Sequence, residues 1–163
     1  MNELKRKYYQ NEILKISRGN SHGVFINAKP LYVLSLIYAI QHGVITENFI
    51  TFPNKALENI YMTVCETHET HRNATPFLLP YFHLTGCTYY HINWKGQPFK
   101  PSPKAHSPSA KYLRENVNYA YLDPSLWDLL QYREVREEYK QLIIDFFREI
   151  CANKYAIFPI TFL

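Results

Sequence analysis

Cysteine and glycine are scarce in this 163-residue chain, and acidic residues are missing from one long stretch of it. The three cysteines, Cys65, Cys87 and Cys151, stand far apart with no C-x-x-C spacing. An odd number so placed argues against a disulfide framework and for a reducing compartment, so a cytoplasmic location is expected. Five glycines supply no Gly-rich phosphate loop and no G-x-S-x-G nucleophile elbow. Long apolar runs are also lacking. The longest, Leu31–Ile40, is interrupted by Tyr32, Ser35 and Tyr38 and reaches only about half a membrane span. The opening MNELKRKYYQ carries charge without an apolar stretch behind it, so no signal peptide and no membrane partner are expected.

What is present is globular: 47% apolar and 20% charged residues, in a length that suits one domain spanning 1–163. Aromatics reach 16%, with fourteen Tyr and ten Phe, which suits packed layers with a wet edge and equally suits stacking surfaces. The net charge of +4 is uneven, because residues 1–116 carry 13 Lys/Arg against 7 Asp/Glu while the remainder carry 5 against 7. Such polarity is compatible with a polyanion partner and also with an ordinary solvated surface.

Hydrophobic periodicity predicts an amphipathic helix over Glu3–Ser17, with Leu4, Tyr8, Ile13 and Ile16 on its apolar face. A loop or short extended piece follows at Asn20–Ile26. Lys29–Gln41 predicts a helix apolar nearly all round and therefore central, with Pro30 at its first position and His42-Gly43 as its stop. Asn54 is placed to cap a third helix through about Val64, and Glu66–Thr75 is polar enough for an exposed loop. Phe82–Thr85 and Thr88–Trp94, joined through Gly86, predict a β-hairpin at about 82–94, with Tyr90, Ile92 and Trp94 on its packing face. Asp123-Pro124 opens a further helix, and Glu134–Cys151 a long amphipathic one. The expected class is α+β: a mainly helical single domain with a small antiparallel sheet, compatible with a winged-helix-like arrangement.

Catalytic and metal motifs fail on spacing. His68-Glu69-Thr70-His71 places two histidines three apart in a polar stretch, whereas the metalloprotease pattern needs four on a helix. His83, His91 and Asn93 could suggest an HNH nuclease, but no zinc-site helix with a second histidine follows Trp94. No paired-carboxylate nuclease pattern is present. No catalytic residue, metal or cofactor is therefore assigned. Lys95–Arg114 is different: five cations and no acid in twenty residues, with Pro98, Pro101, Pro103 and Pro108. Lysines spaced by prolines can follow phosphates while losing little entropy on binding, although a plain basic surface loop has the same composition.

Three segments, in order, resemble a known family. They are KPLYVLSLIYAIQHGVI at Lys29–Ile45, PFLLPYFHL at Pro76–Leu84 followed by a strand ending at Trp94, and YLDPSLWDLL at Tyr121–Leu130 before a helix ending IIDFF. The chain over about 29–147 resembles the DNA sulfur-binding domain of McrA-type, modification-dependent HNH restriction endonucleases. The resemblance implies a reader of double-stranded DNA with a phosphorothioated backbone, and an HNH nuclease domain in the same or another chain. It implies an apolar sulfur contact at Leu79 and Pro80 with His83 beside them. The family often has an aromatic residue where Leu79 stands, a small one at His83, and an Arg where this chain has Asn27-Ala28. Asn27, Lys29, Arg72, Lys100, Lys104 and His106 are assigned around this contact to phosphates or base edges. A reader of another DNA modification, a protein-interaction module using the aromatic hairpin, and a nuclease with an unrecognised site stay open as alternatives.

Overall fold

The computed structural model describes residues 2–17, 19–21, 24–68 and 75–151. Its elements are α1 (Glu3–Leu14), β1 (Gly19–Ser21), β2 (Val24–Ile26), α2 (Ala28–Gln41), α3 (Lys55–His68), α4 (Leu78–His83), β3 (Tyr90–Trp94), α5 (Ala110–Asn116), β4 (Val117–Leu122), α6 (Pro124–Leu129) and α7 (Arg133–Cys151). The class is the expected one, mainly helical with small antiparallel sheets: β1 pairs with β2, and β3 with β4.

Helix α2 is the axis of the molecule. Every residue from Pro30 to Ile40 is buried, as an all-apolar helix requires, and α3, α4 and α7 pack around it. Pro30 is the third helical residue and not the first. It is tolerated because N–H groups in the first turn have no intrahelical acceptor to lose. Gly43 ends the run at φ +72°, a conformation that glycine adopts without penalty. Asn54 Oδ1 accepts from Leu57 N at 3.1 Å, so the third helix is capped where the sequence places the cap, and it continues to His68. In α1 the buried face is Tyr9 and Ile13. Leu4 and Tyr8 are 84% and 49% exposed, against the sequence expectation, and the helix stops at Leu14. Arg6 ties α1 to Glu138 of α7. On α7, Val135, Tyr139, Ile143 and Phe147 are buried at the expected helical spacing.

The hairpin expected at 82–94 is not formed, and no hairpin wing stands there. Leu78–His83 is helical, a 3-10 turn occupies Leu84–Gly86, and β3 finds its partner in β4. Tyr90 lies opposite Leu122 and Trp94 opposite Val117, with an irregularity between Asn93 and Trp94. The alternation within β3 holds nonetheless: Tyr90 is buried, and Ile92 and Trp94 pack against the core. Outside β4, Ile50 pairs with Ala120, each backbone N–H donating to the other's carbonyl at 2.8 Å. The Asn48 side chain binds both the N–H and the C=O of Leu122, at 2.8 and 2.7 Å. The excursion between β3 and β4 is closed at its neck, where Lys95 N donates to Asn116 O at 2.8 Å.

Asp123 and Pro124 start α6 as expected, but the Asp123 side chain makes no cap hydrogen bond. Its carboxylate binds His91 Nε2 at 2.6 Å through one oxygen and accepts from the Tyr9 hydroxyl at 2.9 Å through the other. Three elements are thereby tied at one acid. Among the described residues no helix is long and apolar enough to cross a membrane. The tail at Ala156–Leu163 lies outside the described residues.

Candidate nucleic-acid interface

Aromatic packing fixes α4. Phe77, which precedes the helix, contacts Tyr32, Tyr61 and Tyr81 and stacks on Phe52. The Tyr81 hydroxyl donates to Ile50 O and the Tyr90 hydroxyl to Tyr81 O, both at 2.7 Å. The hydroxyls of Tyr32 and Tyr90 are 3.0 Å apart. Buried polar groups joined in this way admit little rearrangement, so the side chains that α4 sends outward stand on a rigid base.

Those outward side chains are Leu79 and His83, both half-buried, whereas Pro80 between them is buried. His83 Nε2 lies 2.7 Å from Ser107 Oγ. Burial pushes the His83 imidazole below its ordinary value of 6.5, and the nearby charges of Lys29 and His106 act in the same direction. Lys29 of α2 and His106 of the connecting loop are thus near enough to act electrostatically on His83 of α4. Lys29 is anchored by Ser17, its ammonium donating to the hydroxyl at 2.9 Å. Asn27, half-buried, precedes α2 beside it.

The loop from Lys95 to Ser109 is held by its own aromatic residue. Phe99 packs edge-on against Phe82 of α4 at 5.4 Å and against Tyr112 of α5 at 5.5 Å. The Tyr112 hydroxyl donates to Gln97 O at 3.1 Å, Pro108 is buried, and Ser109 caps α5 by accepting from Tyr112 N at 3.1 Å. At the tip, Ser102 and Ala105 exchange backbone hydrogen bonds of 2.9 and 3.1 Å, which places Lys104 on a tight turn. Lys100, Lys104 and His106 are exposed, and neither lysine forms an ion pair among the described residues.

The sequence-assigned residues thus divide. Lys29 and His106 are brought within electrostatic reach of His83, Leu79 and Pro80 share the helix with His83, and Lys100 and Lys104 sit on the loop that His83 holds. Arg72 and His71 lie outside the described residues. Ser107 and Phe99 were not singled out by sequence reasoning. Phe99 carries a signal in retrospect, as the one large apolar side chain between Lys95 and Ser109, while nothing distinguishes Ser107 from the serines around it. His91 and Asn93 are engaged elsewhere: His91 with Asp123, and Asn93 Oδ1 as acceptor from Asn118 at 2.7 Å. His68 ends α3, and the remainder of the HETH stretch lies outside the described residues.

A second feature lies on the other face of β3 and β4. His91 packs on Tyr121 at 5.1 Å, Tyr121 contacts Tyr119 at 5.9 Å, and Tyr119 meets Phe49 at 4.6 Å. Phe49 is 51% exposed. The four rings form a continuous aromatic row.

No protein-family model and no curated protein sequence matches the chain. Among solved structures, the sulfur binding domain of ScoMcrA complexed with phosphorothioated DNA matches with a TM-score of 0.66 at 10% sequence identity, over 90% of this chain and 91% of that one. The two chains share a fold, and it is the fold of the family that the three sequence segments resemble.

Proposed function

We propose that this chain is a DNA-binding module that recognises a modified backbone, phosphorothioate first among the possibilities, as the cytoplasmic reader part of a restriction system. The observation that carries the reading is the fold shared, over 90% of this chain, with a domain complexed with phosphorothioated DNA. The chemistry around α4 supports it. Sulfur is larger and softer than the oxygen it replaces and accepts hydrogen bonds poorly, so a reader needs apolar surface for it and cations for the flanking phosphates. Leu79, with the buried Pro80 next to it, supplies the first; Lys29 and the loop lysines supply the second, with His83 and His106 beside them. Asn27 and Arg72 are assigned to the same ligand. An HNH nuclease, in the same or another chain, is the proposed effector.

The test is a binding comparison of phosphorothioated and plain duplexes of one sequence at two salt concentrations. Tighter binding to the modified duplex, with affinity for both falling as salt rises, is expected. Equal affinity for the two duplexes sinks the sulfur reading.

A protein-interaction reading has one observation in its favour, the aromatic row from His91 to Phe49, since exposed aromatic clusters are common at interfaces. It requires that the chain bind neither duplex and that substitution in this row abolish a protein partner's binding.

A further inference from the structure

We infer that His83, held by Ser107, makes binding of a backbone phosphate at this site proton-linked: the imidazole takes up a proton from solvent when the anion arrives and releases it when the anion leaves. The inference rests on the DNA-binding reading above and adds to it a control that the reading does not contain.

The geometry has three parts. First, His83 is half-buried and its Nε2 is committed to Ser107 Oγ at 2.7 Å. A serine hydroxyl rotates freely, so it donates to a neutral ring nitrogen and accepts from a protonated one. The contact survives titration in both directions, and the loop does not have to move for the ring to change charge. Second, the charged and titratable groups that bear on the ring are Lys29 from α2 and His106 from the loop, both of which oppose its protonation. From β3, Tyr90 is buried with its hydroxyl in the Tyr32–Tyr81 network, and His91 faces the other way, onto Asp123. The α1 acid Glu12 is occupied by Lys15 and Thr88. Third, burial already favours the neutral ring.

An anion among Lys29, His83 and His106 reverses the balance, because an opposite charge nearby favours the protonated form while two like charges oppose it. Uptake is therefore coupled to binding, in addition to the linkage with folding that burial of the ring already creates. The sign follows. In the free protein the ring titrates below 6.5, and in the complex it titrates higher. Affinity is greatest below the free value, declines as pH rises through the window between the two, and levels off above it.

The experiment is fluorescence anisotropy with a phosphorothioated and a plain duplex between about pH 5 and about pH 8, at constant ionic strength. The chains compared are the native one, His83→Gln and His106→Gln. Glutamine at 83 can still reach Ser107 but does not titrate. For the native chain the affinity should weaken by up to about tenfold per pH unit within the window, the limit for one linked proton. That slope should fall more in His83→Gln than in His106→Gln. Should His83→Gln fail to fold, the imidazole resonance of His83 in the native chain, titrated with and without duplex, gives the same answer as an upward shift on binding. A native chain that binds with no slope, a slope unchanged in His83→Gln, or a His83 resonance that does not shift overturns the proton linkage and leaves the DNA reading standing. A chain that binds neither duplex at any pH removes the DNA reading, and the linkage with it.

Discussion

The hydroxyls of Tyr32 and Tyr90 meet 3.0 Å apart in the centre of the molecule, and their roles are unequal. Tyr90 donates its single proton to Tyr81 O, so Tyr32 must be the donor to Tyr90. Tyr90→Phe therefore strands two groups, the Tyr32 hydroxyl and a carbonyl near the end of α4, whereas Tyr32→Phe removes one donor and leaves Tyr90 satisfied. Tyr90→Phe is expected to cost about 2 kcal/mol and Tyr32→Phe about 1 kcal/mol. Urea denaturation with an unchanged m-value measures both, and an equal cost for the two would contradict this ordering.

Gly43 offers a test of the backbone alone. A Cβ added there would meet nothing within 4 Å, but φ is +72°. Gly43→Ala is expected to destabilise by about 1 kcal/mol, with Gly43→Asn milder because asparagine tolerates the left-handed region. A neutral Gly43→Ala in thermal or urea melts would show that α2 does not need this stop.

The loop lysines should act on all DNA alike. Lys100→Ala with Lys104→Ala is expected to weaken binding to modified and plain duplexes by the same factor. The slope of log affinity against log salt should flatten by about 1 for each phosphate that the variant no longer neutralises. Loss of preference between the two duplexes would instead place these side chains at the modification itself.

Leu79 should behave in the opposite way. It is the more accessible of the two apolar residues assigned to sulfur, and a carboxylate there repels the phosphorothioate and removes the apolar surface it needs. Leu79→Asp is expected to abolish preference for the modified duplex while the melting temperature stays near that of the native chain. Competition binding with both duplexes reads the preference directly.

Much of the fold was legible, and the part that was not has a physical explanation. Helix α2 could be read because burial on every side leaves an apolar run that no exposed element would carry, closed by a glycine. The helix α4 could not. TPFLLPYFHLTG is rich in aromatics and holds prolines and a glycine, which read locally as strand and turn. Pro80 fits a helix only because it falls in the first turn of a short one, where its missing N–H has no acceptor to leave unpaired. The pairing of β3 with β4 was hidden for another reason. Twenty-two residues separate Trp94 from Val117, and local patterns find hairpins but not distant partners. In α1 Ile13 and Ile16 are buried as expected, whereas Tyr9 turns inward in place of its neighbour Tyr8 and donates its hydroxyl to Asp123, a partner far away in sequence. At the candidate interface, residue types and charge were legible in the loop, whereas the bond from His83 to Ser107 joins segments whose proximity only the folded chain establishes.

The closed neck between Lys95 and Asn116 bears on how such a molecule can change. A loop whose two ends are already pinned by a paired sheet adds no new closure requirement when its contents are replaced, since the entropy of joining those ends is set by the strands and varies only slowly with length. The exposed positions of the basic segment can accordingly be rewritten while β3 and β4 stay as they are, provided Phe99, Pro108 and Leu113 keep their packing. The neck thus marks where exposed loop positions can be exchanged without touching the β3–β4 pairing, while Leu113 and Pro108 inside it remain part of the packed interior.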